Sequence, residues 1–138
     1  MNAFDRYLYA QRLFRERRFG AAARELELLI ADEMAADADG SGLGDAPLLL
    51  ARAYYHSAQL VKAEAASRRL VDDDPTNVYA MLLLARTLQR RGRHAEAGTW
   101  LRRLDAMGYD TWSDEFSPVA STDPFVAHEP PSRKGSAA

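Results

Sequence analysis

Apolar residues along this chain recur at the helical spacing i, i+3, i+4 and almost nowhere alternate. Leu82, Leu83, Leu84 and Leu88 share one such stripe, and Trp100, Leu101 and Leu104 another. The pattern predicts six helices, at 4–17, 20–35, 46–58, 61–73, 77–91 and 94–107. Punctuation agrees with these divisions. Asp45 stands where it can cap the third helix, with Pro47 in the first turn, where a missing N–H costs little. Asp74-Pro75 closes the fourth helix, and Asn77 can cap the fifth. Gly92 and Gly108 fall where left-handed C-terminal caps are expected. The predicted class is all-α.

Composition divides the chain further. Residues 3–36 and 44–110 are rich in Ala, Leu and Arg, and Asp37-Ala38-Asp39-Gly40-Ser41-Gly42-Leu43-Gly44 between them reads as a loop. Past Tyr109 come Pro118, Pro124, Pro130 and Pro131 among small polar residues, and the stretch from Pro130 to Ala138 reads as disordered. A helical body at 1–110 is thus expected to carry an irregular, partly disordered, Pro-rich tail at 111–138.

The helices repeat. Leu50-Ala51-Arg52-Ala53-Tyr54-Tyr55 lies over Leu84-Ala85-Arg86-Thr87-Leu88-Gln89 at a spacing of 34, which also places Ala63 over Ala97 and Leu70 over Leu104. The first pair joins after a seven-residue insertion, with Ala10 standing 41 before Ala51 and Ala22 standing 41 before Ala63. Small residues at these two recurring places let facing helices approach closely. On this evidence the chain resembles the tetratricopeptide repeat family, whose unit is a 34-residue helix–turn–helix, over 3–36, 44–77 and 78–111. Leu50, Leu84, Tyr54 and Pro75 also fit the family's pattern. Arg6, Pro47 and Met81 depart from it where a large aromatic is usual, and Leu29, Leu70 and Leu104 where alanine is usual. The resemblance implies a right-handed superhelical stack of three two-helix units; the plainer alternative is a six-helix bundle without stacking.

Charge and chemistry narrow the function. Lys and Arg number 18 against 20 Asp and Glu, for a net charge of -2, which gives a nucleic-acid partner no support. A hydrophobic fraction of 47% suits a globular protein. The absence of cysteine excludes disulfides, thiolate metal sites and a cysteine nucleophile, and fits a reducing compartment. Asp5, Arg6 and Arg12 interrupt the first stretch, so no cleaved secretory signal is expected, and no apolar run approaches the length of a membrane span. A cytoplasmic protein without a membrane partner is the expectation. His56, His94 and His128 lie far apart, without metal-ligand spacing, and Gly40-Ser41-Gly42-Leu43-Gly44 lacks the lysine and preceding strand of a phosphate loop. No cofactor, metal or enzymatic activity is expected. His94 takes a turn-side place that is usually aromatic in the family, so packing is its expected role. Arg68-Arg69 and Arg102-Arg103 are expected on a solvated outer face, and Arg90-Arg91 at a helix C-terminus.

In the resembled family the first helix of each unit lines a concave wall that binds partner segments. Carried over, that wall receives Phe4, Tyr7, Gln11, Phe14 and Arg15 from the first unit and Asp45, Leu48, Arg52, Tyr55 and His56 from the second. The third supplies Tyr79, Leu82, Arg86, Gln89 and Arg90. Tyr7, Gln11, Phe14, Arg52, Tyr55 and His56, with Tyr79, Arg86, Gln89 and Arg90, are the candidate partner-binding residues. The expected function is a protein–protein adaptor gripping an acidic peptide segment, with Arg52 and Arg86 pairing its acids and Tyr7, Tyr55 and Tyr79 offering flat contact area. The family's carboxylate clamp for a chaperone C-terminus is not matched, because Tyr7, Gln11, Leu49, Tyr79 and Leu83 hold its places. The alternative is self-assembly, as a homo-oligomer or a subunit of a larger complex, through the apolar side of Trp100, Leu104 and Met107. Trp112 and Phe116 are expected to fold back on the last helix as a cap, or the acidic tail to enter the basic groove.

Overall fold

The computed structural model of the chain describes residues 1–36 and 43–109. The tail at 111–138, with its expected cap, lies outside the described residues. The six helices are α1 (Ala3–Arg15), α2 (Phe19–Ala36), α3 (Ala46–His56), α4 (Leu60–Asp73), α5 (Val78–Arg90) and α6 (His94–Ala106), and the described residues contain no strand. The fold is all-α.

One turn recurs throughout. Residues 16–18, 57–59 and 91–93 join α1 to α2, α3 to α4 and α5 to α6, and the middle residue of each is left-handed: Arg17 at φ 63°, Ala58 at 63° and Gly92 at 78°. The amide of Ala58 donates to the Tyr55 carbonyl at 3.1 Å and that of Gln59 to Tyr54 at 2.8 Å. The same pair of bonds runs from Arg17 to Phe14 and Arg18 to Leu13, and again from Gly92 to Gln89 and Arg93 to Leu88. This bonding satisfies the last carbonyls of each helix. It recurs at the offsets of 41 and 34 seen in the sequence. Gly108, at φ 83°, ends α6 in the same way.

Helix starts divide by backbone conformation. Asn77 is extended at ψ 92° and its Oδ1 accepts the Ala80 amide at 3.1 Å; Asn2 caps α1 likewise, accepting the Asp5 amide at 2.7 Å. Asp45 stands at the start of α3 but makes no side-chain capping bond. Its ψ of 6° is not the extended value from which a capping oxygen turns back onto the first turn.

Each helix packs against the next, and α3 also meets α5. Ala10, Ala22, Ala51, Ala63, Ala85 and Ala97 are fully or almost fully buried, as close approach of facing helices requires. Helix α5 meets α3, α4 and α6, so its run Ala80–Ala85 is buried without a break and reads as apolar all round. Leu82, expected on the concave wall, is 0% exposed and belongs to this core. His94 is exposed, because no further helix among the described residues covers the start of α6; the expected packing role is not found.

Candidate functional site

The sequence placed its candidates on α1, α3 and α5, and contacts join nearly all of them into one face. Phe14, near the end of α1, meets the His56 ring edge-on at 5.5 Å. Phe19, opening α2, stacks on His56 at 4.8 Å and meets Phe14 edge-on at 5.0 Å. Tyr55 closes the cluster from the far side of His56 at 5.4 Å. On these rings rest two guanidiniums, Arg52 at 4.9 Å from the Phe14 centroid and Arg90 at 4.7 Å from that of Tyr55. Arg90 also donates its Nη1 to the Tyr55 carbonyl at 2.8 Å, and Arg86 donates to Gln89 Oε1 at 3.1 Å. Tyr7 bonds Gln11 and lies in the field of both Asp45 and Arg52.

Tyr79 shares a face of α5 with Arg86, two turns on. It is 44% exposed and meets the ring of Tyr109 edge-on at 6.2 Å. Tyr55, expected as open contact area, is only 3% exposed. It serves instead as the platform beneath Arg90. Arg52 likewise is half-buried over Phe14 rather than free on a solvated wall.

The contacts follow the repeat. Phe14 stands 41 before Tyr55, and His56 stands 34 before Arg90, so the Phe14–His56 pair and the Tyr55–Arg90 pair are one contact made twice. Ring meets ring in the first instance and ring meets cation in the second. A cation over a ring face is attracted by the ring's quadrupole and held in one orientation.

Burial disfavours a charged imidazole at position 56, and the charges of Arg52, Arg90 and Arg17 oppose it further, which takes His56 down to about 4 from an ordinary 6.5. His56 is therefore neutral near pH 7. Its Nδ1 is buried and has no hydrogen-bond partner among the described residues. Burial pushes the Tyr55 phenol up, against the pull of Arg90 and Arg86. Burial and the Asp45 charge push Tyr7 up as well.

Phe19 and Arg17 belong to this face but are not among the candidate partner-binding residues; Arg17 is expected from the sequence only as part of the basic run Arg15-Glu16-Arg17-Arg18 at a helix C-terminus. Phe19 stands 41 before Leu60 and 75 before His94, the turn-side place at which the resembled family carries an aromatic. That register was the signal. Arg17 gave none, since its part comes from its position in the left-handed turn.

A second cluster occupies the α4–α5–α6 corner. Glu64, 8% exposed, accepts from Arg68 at 2.9 Å, Arg91 at 2.5 Å and Arg93 at 3.1 Å, and Glu96 accepts from Arg68 and Arg93. Burial alone would raise the Glu64 carboxyl, but these guanidiniums outweigh it and hold the carboxyl below its ordinary value. Arg68 is thus a structural tie between units rather than part of a solvated face, and Arg91, at the C-terminus of α5 as expected, is a second tie. A cleft of about 700 Å³ also opens between α2, α3 and α4, lined by Ile30, Met34, Leu43, Leu50 and Leu70 around the Tyr54–Glu27 hydrogen bond. The described residues hold no group of three or more side chains fit to bind a metal.

No protein-family model, curated protein or solved structure matches the chain.

Proposed function

We propose that this chain is a tetratricopeptide-like interaction adaptor whose α1–α3–α5 face grips an acidic segment of a partner protein. One observation carries the reading: Arg52 and Arg90 are seated on aromatic rings around a neutral His56, with Arg17 and Arg86 in the same field. Guanidiniums fixed in this way lose little freedom when they pair with a carboxylate, and they pair in a forked geometry. Aromatic and arginine side chains are also the types that dominate binding energy at interfaces. Asp45 lies beside Tyr7 on this face. His56 is half-buried and ringed by Phe14, Phe19 and Tyr55, an arrangement that suits binding better than catalysis. The recurring turns and buried alanines support a stack of like units, and small-angle scattering of the full chain tests its superhelical shape. No helix among the described residues is long and apolar enough to cross a membrane; a cytoplasmic location belongs to the same proposal.

The test replaces Arg86, which is half-buried and donates to Gln89 Oε1. In the full chain, Arg86→Glu should leave helical circular dichroism and melting temperature unchanged. It should weaken binding of acidic synthetic peptides, read by fluorescence anisotropy, at least tenfold, because like charges then meet across the interface. Equal binding by variant and native protein refutes the face as the site.

Self-assembly keeps its own support. Of the residues expected to carry it, Leu104 is buried and Trp100 packs on the core, which leaves Met107 at 47% exposed; Met1 and, on α1, Phe4 and Leu8 add apolar surface at 76%, 67% and 45%. Both ends of the helix array thus present apolar groups that a second copy could cover. Light scattering across a concentration series decides, and a concentration-independent monomer ends this reading.

A further inference from the structure

The chain carries its own acidic segment, attached at the edge of the face just described. Residues 110–129 contain Asp110, Asp114, Glu115, Asp123 and Glu129 and not one Lys or Arg. We propose that this segment is an internal ligand of the α1–α3–α5 face, which an external acidic partner must displace. The proposal rests on the reading of that face as an acidic-segment site and adds an occupant to it.

Three observations point the same way. The first is charge: five acids without a Lys or Arg are matched to a wall holding Arg17, Arg52, Arg86 and Arg90. The second is the exit point. Tyr109, the last described residue, meets Tyr79, which lies two turns before Arg86 on the same face of α5, so the chain leaves at that end of the wall. The third is reach. Twenty extended residues span up to about 66 Å, whereas a 13-residue helix such as α5 is about 20 Å long, and three adjacent helices extend about 20 Å across. Reach therefore sets no barrier to any part of the wall. Trp112 and Phe116 lie early in the segment, within reach of the exposed ring of Tyr79. A tethered segment competes at an effective concentration on the order of millimolar, so a weak intrinsic affinity suffices to fill the site.

Zero-length carbodiimide coupling of the full chain reads the occupancy directly. None of the wall's residues is a lysine, so Arg86→Lys supplies one while keeping the charge, and Arg103→Lys on α6 reports the rival placement of the segment as a cap. Lys62 and Glu27, 3.9 Å apart, provide an internal positive control. The expected result is a link, within monomers, between position 86 and an acid of 110–129 that is lost at high salt. Absence of that link while the Lys62–Glu27 link forms overturns the proposal. So does a link from position 103 instead, or links found only in dimers, where a second copy is the occupant. A synthetic peptide of residues 110–129 separates this failure from failure of the underlying reading. It should bind the full chain carrying Asp110→Asn, Asp114→Asn, Glu115→Gln, Asp123→Asn and Glu129→Gln at least tenfold more tightly than the native full chain. Equal binding to both leaves the face as an acidic-segment site and removes the internal ligand; binding to neither removes both.

Discussion

His56 gives the most direct measure of whether its cluster is built as described. The ring is packed between Phe14, Phe19 and Tyr55, and the nearby cations are Arg52 from α3, Arg90 from α5 and Arg17 from the α1–α2 turn. Folding takes the imidazole from 6.5 to about 4. A group whose folded value is depressed binds its proton more readily in the unfolded chain, so acid favours unfolding. The stabilisation is complete above pH 6.5 and is lost as pH falls toward the folded value of about 4. From these two values the wild type should lose about 2 kcal/mol between about pH 7.5 and about pH 5 through His56 alone. His56→Phe keeps a ring in the cluster and removes the proton. Urea unfolding of both proteins at both pH values gives a double difference in which the carboxylates cancel. The variant should show the shallower pH dependence by that amount and be at least as stable at the higher pH, where it no longer buries an unpartnered Nδ1. Parallel pH profiles, or an imidazole that titrates by NMR near 6.5 in the native protein, would refute the packing. The same resonance reports on binding, because an acidic segment over Arg52 and Arg90 offsets their charge and must raise the His56 midpoint.

Two further outcomes concern the scaffold. Ala58 and Gly92 occupy the same left-handed place in successive turns, so Gly92→Ala should lower stability by about 1 kcal/mol and Ala58→Gly should raise it or leave it unchanged; thermal melts that move the other way contradict the shared turn. Glu64→Ala removes the carboxylate on which three guanidiniums converge and should cost about 2 kcal/mol, less than a fully buried broken pair because the partly exposed arginines can hydrate. Glu64→Gln, which retains an acceptor, should cost less, and equal losses for the two variants would mean that volume rather than charge holds the corner.

The fold was legible because its determinants are local. Apolar spacing, Pro75, Asn77 and the two glycines each act within a few residues, and they located all six helices to within a few residues at each end. Asp45 shows the limit of such reading. Residue type makes a cap possible, but the capping bond also needs an extended backbone, and a ψ of 6° does not provide it. Arg17 and Ala58 show the converse. Neither is a residue that announces a left-handed turn, and only the offsets of 41 and 34 to Gly92 reveal that they share its place.

What joins one unit to the next was less legible, for a physical reason. A repeat register makes visible what the units share, whereas the polar ties between units here are made once. Tyr54 donates to Glu27 across the first junction, but the residues in those places at the second junction are Leu88 and Arg68, which cannot make that bond. The second junction is tied instead through Glu64, whose place in the first unit is taken by Ala23. The face on α1, α3 and α5 lies between these extremes. Its ring-to-next-unit contact is shared in position and changed in chemistry, from Phe14–His56 to Tyr55–Arg90. A structural role alone would be served by any pair that fills the space. Exchanging a ring for a cation at the same register adds charge on α5, which also carries Arg86 and whose Tyr79 meets Tyr109, just before the acidic segment begins. That asymmetry gives the face a direction, and it predicts that an acidic segment binds with its charge concentrated toward α5.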